Sequence, residues 1–269
     1  MDKQFAPVSV VIPCFRCATT IRRAVDSVVN QTQVPSEIIL VDDASDDDTW
    51  DVLSKIAEEY PCLVRLHRLG ENKGAASARN AGWDLAIHLY VAFLDADDTW
   101  HPKKIEMQYT WMNAHPAVGL TGHQNVVAGT SDPVLSLSTK LLIRPIRRMR
   151  LLLSNPLPTP SVMLRREEVL LRFCPEKRYA EDYLLWLNVV FSGHKVYKLE
   201  LPLSYSHKPY FGDSGLSRDL WRMEKGELDT YRRIYAAGYI SRLAYWIVQC
   251  LSFAKYMRRL LVMRFRSWD

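Results

Sequence analysis

The first hundred residues of this chain alternate short apolar runs with helical repeats, and that alternation limits the available folds more than any other feature. Val8 to Ile12 is a continuous apolar run of strand length. Ile21, Ala24, Val25, Val28 and Val29 then recur at helical spacing, with Thr19 or Thr20 as cap. Glu37 to Val41 forms a second strand, followed by an acidic turn and a helix bearing Val52, Leu53, Ile56 and Ala57. Val64 to Leu66 is a short third strand, the alanine-rich segment after Lys73-Gly74 a third helix through Ala86, and Tyr90 to Leu94 a fourth strand. Repeated strand, helix, strand units predict an α/β domain: a mostly parallel central sheet with helices on both faces and right-handed crossovers.

In such a sheet ligands bind outside the carboxyl ends of the strands, so the residues that follow each apolar run are the candidates for chemistry. After the fourth strand comes Asp95-Ala96-Asp97-Asp98. Hard divalent cations prefer oxygen ligands, and one or two carboxylates plus substrate phosphates commonly hold them. The competing reading is an acidic turn capping the next helix, with Asp98 or Thr99 as N-cap. After the second strand stands Asp42-Asp43-Ala44-Ser45-Asp46-Asp47-Asp48-Thr49. Asp46 to Thr49 suit a helix N-terminus, whereas Asp42 and Asp43 sit at the strand end, where a carboxylate accepts hydrogen bonds from a base or ribose. The Lys73-Gly74 turn opens a small-residue helix carrying Arg79; it suits close approach to a phosphate, or tight packing through Gly74 and Ala78. Glu181-Asp182 opens a further helix, Ala180 to Ser192, where an acid serves either as a dipole partner or as a general base.

The rest of the chain is less regular. Beyond Pro116 the alternation weakens: Val118 to Thr121 adds a strand, and Ser131 to Pro160 mixes prolines with the basic cluster Arg144, Arg147, Arg148 and Arg150, a pattern of loops and short helices. With 269 residues, 48% of them hydrophobic, the chain buries a substantial core. Its start has no charged-then-apolar signal pattern, so a cytoplasmic location is expected. Its cysteines number five, and Cys14-x-x-Cys17 lacks the second pair or histidines of a zinc set, which suits reduced structural thiols. From Tyr239 onward Arg242, Lys255, Arg258, Arg259, Arg264 and Arg266 face only Asp269. Leu243 to Ala254, uncharged and aromatic, is too short to span a bilayer; it suits an interfacial helix on an anionic membrane surface, or a helix packed on the domain. A nucleic-acid-binding module built on this tail would leave the strand-end acids unexplained, and those acids would repel a phosphate backbone, so no nucleic-acid partner is expected.

Taken in order, the motifs resemble those of the family-two glycosyltransferases with the GT-A fold. The matching stretches are Val8 to Pro13, Val41 to Asp46, Asn72-Lys73-Gly74 with Ala78-Arg79-Asn80, Phe93 to Trp100, and Glu181 to Trp186. The resemblance implies a Rossmann-like nucleotide-sugar-binding half over residues 1–115, an acceptor-binding half over 116–220, and a basic amphipathic helical tail over 221–269. It implies that Pro13, Phe15 and Asp43 line a nucleoside pocket with Asp42 in support, that Arg79 and Asp95 contact the donor, and that Asp182 is the general base. By the same analogy Asp97, with Asp98 beside it, holds Mn²⁺ or Mg²⁺. His207 falls where some members carry a further metal or phosphate contact, or is an ordinary loop histidine. Arg16 departs from the family, where Asn often follows the aromatic. The Gln-x-x-Arg-Trp signature of processive members is not found, which implies transfer of one sugar per acceptor. The expected donor is a UDP-sugar and the acceptor a lipid-linked saccharide at the inner membrane face. A sugar nucleotidyltransferase is the nearest rival, but it would carry a glycine-rich loop where Cys14-Phe15-Arg16-Cys17 stands.

Overall fold

A computed structural model of the chain describes residues 4–129, 141–208 and 219–266. The opening of the Ser131 to Pro160 stretch, and Asp269, lie outside these described residues. The predicted alternation appears as β1 (Phe5–Cys14), α1 (Ile21–Val29), β2 (Val34–Asp42), α2 (Thr49–Glu59), β3 (Val64–Arg68), α3 (Ala75–Leu85) and β4 (Tyr90–Phe93). These strands are parallel, in the order β3, β2, β1, β4. Cys14 pairs with Asp42 and Val11 with Phe93, so the first, second and fourth strands end at one edge.

The sheet then turns mixed. The later elements are β5 (Asp98–Trp100), α4 (Lys104–Ala114), β6 (Val118–Val127), β7 (Ile143–Pro145), α5 (Arg148–Leu153), a 3₁₀ turn at Thr159–Ser161, β8 (Met163–Arg165), α6 (Glu181–Phe191) and β9 (Lys195–Ser206). β8 runs antiparallel between β4 and β6, and β5 and β7 run antiparallel to β9. Parallel pairing needs a long crossover between neighbours. The helical repeats that supply such crossovers end near residue 116, so "mostly parallel" holds for the first four strands and not for the second half.

Side-chain alternation along β1 divides the interior. Val8, Val10 and Ile12 enter a core with α1, α2 and α4, while Val11 joins Ile39, Val41 and Phe93 beneath α3 and α6. α6 is buried around most of its circumference, with Leu185, Trp186 and Val189 enclosed as well as Tyr183, Leu184, Leu187 and Val190. It lies between the sheet and two neighbouring helices, α5 and α7 (Leu220–Ala236). Edge-to-face contacts link Trp83 of α3 to Phe93 of β4 at 5.4 Å, Phe93 to Phe173 at 5.2 Å, and Phe173 to Trp186 of α6 at 5.8 Å. Each such pair contributes about 1 kcal/mol beyond its burial, and together they hold α3 and α6 in one register.

The carboxyl-terminal segment is more than a tail. Tyr231 and Ile234 of α7 enter the main core. The last helix, α8 (Arg242–Arg266), packs on α7 through Val248 and Ser252, and Arg259 pairs with the buried Glu224 at 3.2 Å. Its other face leaves Leu243, Trp246, Ile247 and Phe253 exposed, so the helix packs on the domain through one side and keeps an open apolar side. No helix among the described residues is long and apolar enough to cross a membrane.

Close approach of α3 to the sheet depends on Gly82 rather than Gly74: a Cβ at Gly82 would lie 2.4 Å from Cγ1 of Val11, whereas none at Gly74 would meet an atom within 4 Å. Gly82→Leu therefore overpacks the α3 side of the core. We expect it to cost about 2 kcal/mol and to lower Tm by roughly 4–8 °C in thermal unfolding.

Candidate active site

The shared strand edge opens into a cavity of about 790 Å³. Pro13, Phe15, Asp43, Arg79, Asp95, Asp97 and Glu181 line it, so residues far apart in the chain converge where the sheet geometry predicts. Three non-glycine residues with left-handed backbone border this edge: Arg16 (φ 47°), Ala44 (φ 53°) and Ala180 (φ 55°). Each sits in the turn that follows a strand or precedes a helix bearing site residues. Such strained positions persist where the surroundings enforce them, and they concentrate at functional sites.

Asp43 holds the loop ahead of α3. Its Oδ1 accepts the amide N–H of Lys73 and its Oδ2 that of Gly74, each at 2.8 Å. Burial raises its pKa, although these two N–H bonds pull the other way. Gly74, at φ 85°, supplies a backbone conformation that other residues rarely adopt. Asp42 is wholly buried and turned from the cavity, ion-paired with Arg68 at 3.0 Å and accepting the Ser45 amide. Phe15 is exposed at the cavity wall, with the Arg16 guanidinium 5.2 Å from its ring and forked onto Asp46. Asp47 accepts the Thr49 amide, as a helix N-terminus requires.

Arg79 is the centre of the site. Buried on α3, it donates to Oδ1 of Asp95 at 2.7 Å and to Oε1 of Glu181 at 2.9 Å, with its guanidinium 5.4 Å from the Phe173 ring. Burial opposes its charge, but the two carboxylates outweigh burial and raise its pKa. Its Nε is buried and has no hydrogen-bond partner among the described residues.

The acidic triplet divides by environment. Asp95 and Asp97 line the cavity, and their side chains are 32% and 30% exposed. Asp98 caps no helix: its amide donates back to the Asp95 carbonyl, the chain reverses into β5, and α4 starts only at Lys104. Buried in that strand, Asp98 accepts the Ser206 hydroxyl at 2.9 Å. Burial, with the charges of Asp95 and Asp97, pushes its pKa up to about 8. His207 lies outside the cavity wall, bonded through Nε2 to Thr99 Oγ1 at 2.9 Å; burial and Arg23 lower its pKa. Its neighbour Lys208 reaches the cavity and pairs with Oδ2 of Asp97 at 2.6 Å. Lys208 and Arg178, which lines the opposite wall, escape sequence reasoning; the charged spacing around each carries no signal that distinguishes it from surface lysines and arginines.

Asp182 stands on the first turn of α6. Oδ1 accepts the Tyr183 amide at 2.7 Å, and Oδ2 accepts from Asn155 and Thr159, each at 3.3 Å. Desolvation, then the Glu181 charge, raise its pKa to about 6 despite the opposing pull of Arg79. Asn155 and Thr159 belong to the irregular stretch after α5, where no sequence pattern marks them.

The donor set fits a hard divalent cation. Asp95 and Asp97 offer carboxylate oxygens to the cavity, and their combined negative potential is strong enough to raise the pKa of the neighbouring Asp98. Among the described residues no three His, Cys, Asp or Glu side chains are grouped to hold a metal ion. The cysteines are all free thiols, with Cys14 and Cys17 buried.

A family model for glycosyl transferase family 2 matches residues 9–172. An Escherichia coli protein, the UDP-Glc:α-D-GlcNAc-diphosphoundecaprenol β-1,3-glucosyltransferase WfaP, is 33% identical over 209 residues, which cover 74% of this chain and 76% of that protein. Among solved structures, S. aureus TarS 1-349 in complex with UDP-GlcNAc superposes with a TM-score of 0.68 at 19% identity, over 90% of this chain and 70% of that one. The mannosyltransferase PcManGT of Pyrobaculum calidifontis, in complex with GDP-Man and Mn²⁺, superposes with a TM-score of 0.59 at 18% identity, over 99% and 85%.

Replacing Arg79 leaves the buried Glu181 and the half-buried Asp95 without their shared cation. We expect Arg79→Gln to cost about 3 kcal/mol in urea unfolding, far more than Arg16→Gln at the exposed Asp46 pair.

Proposed function

The chain belongs to glycosyl transferase family 2, and from that premise we propose that it transfers one sugar from a UDP-sugar to a lipid-linked saccharide, with inversion, in the assembly of a cell-surface polysaccharide. The donor and acceptor classes follow the activity of the E. coli relative, and UDP-GlcNAc bound to TarS supports the nucleotide. The observation that carries the reading is Asp182. Its carboxylate, with a pKa of about 6, stands beside the Arg79 bridge and next to the residue, Glu181, that lines the cavity.

A base with that pKa is ionised at neutral pH, yet basic enough to draw a proton from a hydroxyl as it attacks. Asn155 and Thr159 hold Oδ2 in place from one side, and the Tyr183 amide holds Oδ1 from the other. In the displacement, the acceptor oxygen forms a bond to the anomeric carbon while the bond to the diphosphate breaks. The hydroxyl proton passes to Asp182, and single in-line attack inverts the centre. Phe15 presents a ring to the nucleoside, and Arg79 keeps Asp95 aimed at the donor sugar or ribose. Asp97 is the residue that would hold Mn²⁺ or Mg²⁺; when bound there, the cation neutralises charge on the leaving diphosphate. Lys208 and Arg178 add positive charge around the same group. Asp42 and Asp98 support the site from behind, the first through Arg68 and the second through Ser206.

The exposed apolar face of α8, flanked by Arg242, Lys255 and Arg258, supports peripheral attachment to an anionic membrane surface, where a lipid-linked acceptor resides.

Asp182→Asn should lower transfer roughly a thousandfold while leaving UDP affinity, measured by calorimetry, unchanged. Near-normal turnover in that variant would defeat the assignment. In the unmodified enzyme kcat/KM should fall about tenfold per pH unit below a pKa near 6, because a protonated Asp182 cannot accept the proton, and should level off above it. Chelation with EDTA should abolish transfer, Mn²⁺ should restore it, and Asp97→Ala should raise the Mn²⁺ concentration needed.

A further inference from the structure

A second cavity, of about 650 Å³, lies where α6 gives way to β9 and faces the start of α5. Arg147, Arg148, His194 and Lys195 line it, together with Val190 and Met149. From Asp182 to Phe191 along α6 is roughly 14 Å at 1.5 Å per residue, so this cavity stands apart from the catalytic one. Among the described residues no carboxylate forms an ion pair with Arg147, Arg148 or Lys195. Cations near a helix carboxyl end are often explained as partners of its last carbonyls. Here the carbonyls of Asn188, Val190 and Val189 are already taken by the amides of Ser192, Gly193 and His194. Among the described residues these cations therefore carry no ion pair, and the three carbonyls nearest the helix end are already bonded to backbone amides.

Ring contacts lead from the cavity toward the start of α8. The Arg148 guanidinium lies 5.8 Å from the Phe191 ring, which stacks at 5.2 Å on Tyr239 just before that helix. At the start of the helix Leu243 and Trp246 are 72% and 56% exposed, and Met149 is exposed on the cavity's own rim. Exposed basic groups clustered beside projecting apolar ones match a phosphate ester carried on acyl chains.

We propose that this cavity binds the headgroup phosphate of an anionic phospholipid, and so turns the α5–α6 face toward the bilayer. The inference rests on the membrane attachment argued above and adds a headgroup site that the helix alone does not supply. Its consequence is orientation. Asn155, just beyond α5, bonds Asp182, so an acceptor anchored in the same bilayer meets the catalytic base along this face.

The test is co-sedimentation of the full chain with phosphatidylcholine vesicles, with and without phosphatidylglycerol. Arg147→Gln/Arg148→Gln should weaken binding to phosphatidylglycerol vesicles roughly thirtyfold, from about 1 kcal/mol per basic residue, and leave binding to pure phosphatidylcholine unchanged. Arg147→Lys/Arg148→Lys should retain most of the binding. Lys55→Gln/Lys103→Gln, an equal charge change on exposed lysines of the opposite face, should shift it less than about twofold. A matching loss in that control reduces the effect to net charge and overturns the site. Leu243→Ser/Trp246→Ser reports on the helix: it should weaken binding to both vesicle types. If the unmodified chain shows no preference for phosphatidylglycerol, the membrane reading and the headgroup site fall together. If it does, and the Arg147→Gln/Arg148→Gln variant equals it, only the headgroup site falls.

Discussion

Everything at the catalytic edge depends on one buried cation. Arg79 reaches from α3 to Asp95 at the end of β4 and to Glu181 at the start of α6, and so ties together three elements separated by up to a hundred residues of chain. A guanidinium suits this work because its donors are planar and fixed in direction, which lets one side chain aim two carboxylates at once. The ring of Phe173 beneath it and the aromatic contacts from Trp83 to Trp186 keep the helices at the spacing that the bridge needs. The bridge also serves electrostatics. Its charge opposes the upward push that burial and the Glu181 carboxylate exert on the pKa of Asp182.

The surrounding carboxylates obtain different roles from different settings. Asp43 is bound by two backbone N–H groups, Asp42 by a salt bridge behind the strand, and Asp98 by a hydroxyl in a buried strand. Only Asp95 and Asp97 of the triplet present oxygens to open space. Asp182, poised near pH 6, is the carboxylate whose environment matches proton transfer. Left-handed backbone at Arg16, Ala44 and Ala180 fits the same picture, since turning side chains toward a shared edge requires local conformations that ordinary residues resist.

How far the site is legible in sequence follows from the range of the interactions involved. Asp43, Arg79, Asp97 and Asp182 each sit at a place the local pattern marks: the end of an apolar run or the first turns of a helix. Asp43, Arg79 and Asp97 line one cavity, with Asp182 next to its lining residue Glu181, and the first four strands are parallel. The reading goes astray where a distant partner decides. Asp98 looks like a helix cap in an acidic, turn-rich string, but β9 captures it into a strand. His207 has the residue type of a metal ligand, yet its ring turns to Thr99 while Lys208, chemically less suggestive, reaches Asp97. The close contact falls to Gly82 rather than Gly74 for the same reason, because only the sheet behind α3 reveals which glycine it touches.

By itself the sequence determines the alternation of strands and helices, the edge at which the acids gather, and the family whose motifs they form. These depend on periodicity and on residues adjacent in the chain, which set local conformation without knowledge of distant partners. The tertiary structure alone decides the mixed half of the sheet, the sharing of Arg79 between two acids, the pKa of Asp182, and the basic cavity at the far end of α6. Each of these arises from desolvation, charge or packing between segments far apart in sequence. Such terms depend on distances in space, and only the folded chain defines them.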